Sequence, residues 1–244
     1  MNSLILYGQL RTFQICIPTI LEFIKFNSNK YDVYLCIDKK NDINYTEKNM
    51  NVLKNMFGDN IKKIWFIEEH IDQIKETVLV DTYFQKCDMI KNFLQQNILE
   101  FKNNKNVNTN CFVSKLYYRR FITLELVHNY MIENNLVYDK CVFTRFDINI
   151  LNFCNDIIAD TNPEKLYIKF DIFFIGTITK LLNIFEFYKN YFSVYDYIIK
   201  NGSSTFTEEY IRKWICMPEA NFIYFLKNNN IEYTEIRNSI IIQR

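Results

Sequence analysis

The start of the chain alternates between continuous apolar runs and apolar positions at helical spacing. Ser3-Leu-Ile-Leu-Tyr7 is an unbroken run, the pattern of a strand buried on both faces. Gly8-Gln-Leu-Arg11 follows at its carboxyl end. Pro18 suits the first turn of a helix, where an N–H has no partner to lose. It predicts a helix from Thr19 to about Phe26, with Ile20, Leu21 and Ile24 at helical spacing. Asp32-Val-Tyr-Leu-Cys-Ile37 reads as a second strand, ending at Asp38-Lys39-Lys40. A helix from about Glu47 to Phe57 stops at Gly58, and Lys63-Ile-Trp-Phe-Ile67 is a third strand. The order β-α-β-α-β predicts an α/β fold with a mostly parallel, doubly wound sheet flanked by helices.

The middle is helical. Thr82 with Gln85 has the spacing of a capping box and opens a predicted helix to about Lys102. A polar loop over Asn103–Asn110 precedes a helix from about Ser114 to Asn134, with Tyr117, Phe121, Leu124, His128 and Met131 on one face. That spacing makes His128 a core or boundary residue. Next, Tyr138-Asp-Lys-Cys-Val-Phe-Thr-Arg-Phe-Asp-Ile-Asn149 begins as a buried strand and ends in charges. Lys165–Asp171 and Phe173–Gly176 read as one bent strand or two short ones. A helical segment rich in Phe and Tyr spans about Lys180–Ile199, and Thr205 with Glu208 repeats the capping-box spacing. Pro218-Glu219 opens a last helix with Phe222, Phe225 and Leu226 inward, and Glu232–Ile236 with Ser239–Gln243 reads as a closing hairpin. No repeat or Pro/Gly/Ser-rich linker cuts the chain, so a single domain over 1–244 is expected.

Composition narrows the classes. A net charge of +1 supplies no field that draws the chain to nucleic acid or an acidic membrane. The seven cysteines form no CxxC pair, and the two histidines, His70 and His128, are far apart, so no zinc cluster is expected. Reduced, buried thiols in a cytoplasmic protein are the expectation. The N-terminus carries no signal-peptide pattern, and no apolar run approaches the ~20 residues that span a bilayer. Sequons at Asn44 and Asn201 are read as chance in an Asn-rich chain. GxGxxG and P-loop patterns are absent, which excludes the usual dinucleotide and ATP sites.

Candidate chemistry gathers where strands end, because ligands of open α/β sheets bind outside the carboxyl ends. Arg145-x-Asp147-x-Asn149 sits at such an end, suited to a phosphate, a metal or both; the competing reading is a solvated loop with one ion pair. Gly8 lets backbone approach a ligand, and Arg11 supplies a cation for phosphate.

Leu6-Tyr-Gly-Gln-Leu-Arg-Thr-Phe13 resembles the opening of a group of bacterial and large-virus glycosyltransferases, in which a first strand ends in a Gly-Gln-x-Arg-type turn. Tyr138 to Asp147 is similar to that group's strand ending in Arg-x-Asp, Asp171-Ile-Phe-Phe-Ile-Gly176 to the segment after it, and Pro218-Glu219 to a late helix. The resemblance implies a single Rossmann-like GT-A domain, nucleotide-binding over about 1–150 and acceptor-binding over 151–244. It implies transfer of a sugar from a nucleotide sugar donor to a glycan, protein or lipid-linked acceptor. Asp147 matches the family's metal-holding Asp-x-Asp position, but the first acid is Arg145 here. Either Asp147 with Asn149 holds Mn²⁺ or Mg²⁺, which is the expectation, or Arg145 neutralises the diphosphate and no metal is needed. Gly8, Gln9, Arg11, Asp38, Arg119 and Arg145 are the implied donor-binding residues. Asp171 and Glu219 are the candidate general bases; Asp171, amid apolar neighbours, suits a raised pKa. The alternative is a non-catalytic GT-A-like protein that binds glycans or a partner chain.

Overall fold

The computed structural model describes residues 1–26, 30–40, 42–97, 112–151, 162, 164–169, 172–190, 222, 225–226, 229–236 and 239–242. The chain divides into two compact units. The first comprises Met1–Ile71, Ile122–Asn183 and Glu232–Arg244, the second Asp72–Phe121 and Ile184–Ile231.

The first unit is built on a mixed sheet. Among the described residues its strands are β1 (Asn2–Gly8), β2 (Tyr31–Ile37), β3 (Ile61–Phe66), β4 (Cys141–Arg145), β6 (Tyr167–Lys169), β7 (Phe173–Gly176) and β8 (Thr234–Glu235). They lie in the order β3-β2-β1-β4-β7-β6-β8. The β3-β2-β1-β4 portion is parallel throughout, β7 runs antiparallel to β4 and β6, and β8 runs parallel to β6. This is an α/β architecture compatible with a Rossmann-like fold.

Side chains alternate across the sheet, and both faces are buried. Leu4, Leu6, Val33 and Leu35 join one core with Phe13, Ile17 and Ile20 of α1 (Phe13–Phe26) and Met50, Leu53 and Phe57 of α2 (Glu47–Phe57). On the alternate positions, Tyr34 packs edge-on to Tyr130 of α4 (Phe112–Glu133), and Cys36 hydrogen-bonds Thr123 of that helix. Burial of Cys36 pushes its thiol above the ordinary range despite that bond. Cys16, Cys36 and Cys141 are free and buried. At the opposite end of the strands, Tyr138 donates to Asp32 Oδ2 at 2.6 Å, and Lys62 lies 3.2 Å from Oδ1.

Three sequence expectations are corrected. Helix α1 begins at Phe13, not after Pro18, which lies inside it. The apolar positions Phe13, Cys16, Ile17, Ile20 and Phe23 share one buried face, and that burial outweighs the hydrogen bond the proline lacks. Helix α3 (Gln73–Asn97) starts well before Thr82. Asp72 opens it, its Oδ1 accepting from Lys75 N at 3.0 Å, which is the geometry of a capping side chain. Of the two readings of residues 165–176, two short strands hold: β6 and β7 pair antiparallel. The closing segments are not a hairpin: β8 pairs with β6, whereas β9 (Ser239–Ile242) pairs antiparallel with β5 (Ile148–Leu151) in a separate two-stranded sheet. Strand β5 packs on α1, and Ile150 N donates to Thr19 Oγ1 at 3.0 Å.

The second unit is helical and aromatic. Its residues include α3, the part of α4 up to Phe121, the last residues of α5 (Ile178–Phe185), and α6 (Phe187–Asn190). Tyr117, Phe185, Phe187 and Phe222 pack with ring centroids 5.1–6.3 Å apart. Arg120 is fully buried with its guanidinium 5.1 Å from the Tyr117 ring. Much of the aromatic content of the sequence is therefore core. Among the described residues, no helix is long and apolar enough to cross a membrane.

Candidate functional site

The candidate residues of the first unit gather along the edge where β3, β2, β1 and β4 end. Gly8 is the last residue of β1, with φ at 105°, a conformation that L side chains rarely adopt. It turns the chain out of the sheet into Gln9-Leu10-Arg11. Asp38 N donates to Gly8 O at 2.9 Å and continues the β1–β2 ladder one step beyond the strands. Asp42 fastens the turn, its Oδ2 accepting from Leu10 N at 2.6 Å and its Oδ1 from Asn44 N at 3.0 Å.

A chain of polar contacts runs along this edge. Glu68, just after β3, accepts from Lys40 N at 2.6 Å. Gln9 Nε2 donates to Lys40 O at 3.3 Å, and Gln9 Oε1 accepts from Arg11 Nε at 3.0 Å. Arg11 Nη1 lies 4.0 Å from Asp147 Oδ2. Arg145, the last residue of β4, closes the row: its Nε donates to Asp147 Oδ1 at 2.8 Å and its Nη2 to Oδ2 at 2.6 Å. The ends of four adjacent strands are thereby tied by side chains. This fork is the bidentate geometry that makes an arginine–carboxylate pair strong.

Burial grades the cluster from inside to outside. The side chain of Asp147 is 3 % exposed, that of Arg145 21 %, and that of Arg11 52 %. Cys16, in the first turn of α1, lies close enough to feel the charge of Asp147; its thiol is 3.7 Å from Thr12 Oγ1. Burial pushes that thiol above its ordinary range, the Thr12 contact opposes this, and the negative charge of Asp147 adds to it. Around Asp147 two guanidiniums face one carboxylate, whereas Asp38, Asp42 and Glu68 add negative charge farther along the edge.

This geometry bears on the expected metal. Both Asp147 oxygens are committed to one guanidinium, and almost none of the side chain reaches solvent. Asn149, in β5, has a buried Oδ1 with no hydrogen-bond partner among the described residues, but one amide oxygen is a weak share of an octahedron. Among the described residues, no group of three or more His, Cys, Asp or Glu side chains is placed to hold a metal ion. The donor set does not fit a metal held at Asp147.

Asp38 follows β2, and its carboxyl lies beside that of Glu68. Burial raises the Glu68 pKa, but the neighbouring Asp38 carboxyl and backbone N–H donors, Lys40 N among them, outweigh it and hold the carboxyl below its usual range. Arg119 belongs to the second unit, where its Nε and Nη2 donate to Glu76 at 2.7 and 3.3 Å. Asp171 and Glu219 lie outside the described residues. Sequence reasoning missed Asp42 and Glu68. Asp42-x-Asn44 carries an Asx-turn spacing that could have flagged the first; Glu68 joins the site only through the sheet order and left no local signal. No family model, curated protein or solved structure matches the chain.

Proposed function

We propose that the chain is a glycosyltransferase that moves a sugar from a nucleoside diphosphate donor to a carbohydrate-containing acceptor. One observation carries the reading. From β1 the chain winds outward through β2 to β3, then returns to put β4 on the other side of β1. The order therefore reverses between β1 and β4, and in open α/β sheets the crevice outside the strand ends at such a point is where ligands bind. Arg11 and the Arg145–Asp147 pair flank this point.

The chemistry follows from charge. As the bond from sugar to diphosphate breaks, negative charge grows on the leaving oxygen, and a fixed guanidinium stabilises it without reorganising. Arg11 is the proposed phosphate ligand, and Asp38 the proposed acceptor of ribose or base hydrogen bonds. The acceptor hydroxyl must lose its proton if the configuration inverts. Asp171 is the proposed base, with Glu219 the alternative. Ile172, next to Asp171 in the chain, accepts from Thr144 Oγ1 at 3.0 Å near the end of β4.

Thermal-shift and hydrolysis assays with UDP-, GDP- and dTDP-sugars test the reading. Stabilisation by at least one donor and its turnover are expected, with turnover lost in Asp171→Asn. No stabilisation and no hydrolysis with any of them would overturn it.

A further inference from the structure

The mismatch between the expected metal and the Asp147 donor set has a consequence. We infer that Asp147 is a positioning residue for a metal-free diphosphate clamp, in which the buried carboxylate fixes Arg145, Gln9 holds Arg11 beside it, and the two arginines carry the phosphate charge. The inference rests on the proposed nucleotide-sugar reading and adds how that ligand is neutralised.

Three features support it. First, the exposure gradient from Asp147 through Arg145 to Arg11 runs outward from a carboxylate that solvent scarcely reaches. A metal ligand needs the opposite order, with its oxygens open to the crevice. Second, Arg145 sets a fixed positive charge directly on both Asp147 oxygens, where a metal would need a further negative ligand. Bringing Mn²⁺ to Asp147 would put a dication against a guanidinium bonded 2.6 Å from the same oxygen. Third, Arg11 is aimed rather than loose: Gln9 holds its Nε at 3.0 Å, and Gln9 is itself anchored to the Lys40 backbone. A guanidinium held on one side and exposed on the other is prepared to take phosphate oxygens.

Titration with UDP, GDP and dTDP in EDTA and in Mn²⁺ tests this. The best-binding diphosphate should bind the wild-type chain with equal affinity in both buffers. Arg11→Ala, at an exposed position, should weaken it about ten-fold or more, the loss expected for a charge-assisted hydrogen bond. Asp147→Asn should lower the ratio of diphosphate to monophosphate affinity for the same nucleoside, because the loosened Arg145 serves the second phosphate. A purely structural role would weaken both nucleotides alike and leave the ratio unchanged, which would overturn the positioning role. Should Asp147→Asn fail to fold, the buffer comparison and Arg11→Ala decide. Binding that appears only with Mn²⁺ would overturn the inference and leave the nucleotide-sugar reading standing. No binding of any nucleotide in either buffer would overturn both.

Discussion

Gly8 and Arg11 are three residues apart and do different work. A Cβ at Gly8 would meet nothing within 4 Å, so space does not require the glycine; its φ of 105° does. Gly8→Ala should therefore destabilise the fold by about 1–2 kcal/mol through backbone strain alone. A thermal melt of the variant measures it, and an unchanged melting temperature would contradict the strain. Glu76 gives a pH-dependent counterpart. Burial raises its pKa, but the Arg119 hydrogen bond and charge, with Lys115, lower it by more. A carboxyl whose folded pKa is depressed stabilises above its unfolded value, about 4.3, and that contribution fades as pH falls through the folded pKa. Acidification below about pH 5 should thus weaken the second unit, with a shallower fall in Glu76→Gln. Equal slopes in the two melts would remove Glu76 from the account.

At the scale of elements, the legible parts were those whose signal is local. β1, β2 and α2 were readable because an apolar run and a glycine stop need no partner to be recognised. The start of α1 was not, because Pro18 outweighed the Phe13–Ile17–Ile20 spacing that in fact decides it. The Thr82–Gln85 pair misled in the same way: its spacing fits a cap, but Asp72 already has the helix running. β8 and β9 look like a hairpin in sequence because nothing local says that each prefers a different partner. Thr19 shows how one side chain joins elements: its hydroxyl donates to Cys16 O at 2.8 Å and accepts from Ile150 N, tying β5 to α1. Thr19→Val keeps the shape and removes the acceptor. It should cost about 1–3 kcal/mol, the penalty for stranding a backbone N–H, read from a denaturant midpoint. A change of a few tenths would mean that another group or water takes over the N–H.

At the scale of the molecule, the sequence carried the α/β winding and the strand ends where charge collects, since both follow from chain order. It did not carry the row from Glu68 to Asp147, which exists only once β3, β2, β1 and β4 lie side by side. Nor did it carry the orientation of Arg145 onto Asp147, because a two-residue spacing fits a metal-ligating turn and an ion pair equally. The same sheet offers a contrasting location. A cavity of about 480 Å³, lined by His128, Met131, Tyr138 and Thr177 among others, lies by the start of β4, at the opposite edge. The proposed function therefore makes a choice between two ends of one sheet. A crystal structure of the chain with its best-binding nucleoside diphosphate decides between them. The account predicts the diphosphate against the Arg11 guanidinium, outside the ends of β1 and β4. A nucleotide bound in the cavity beside Tyr138, or one whose phosphates leave Arg11 untouched, would contradict it.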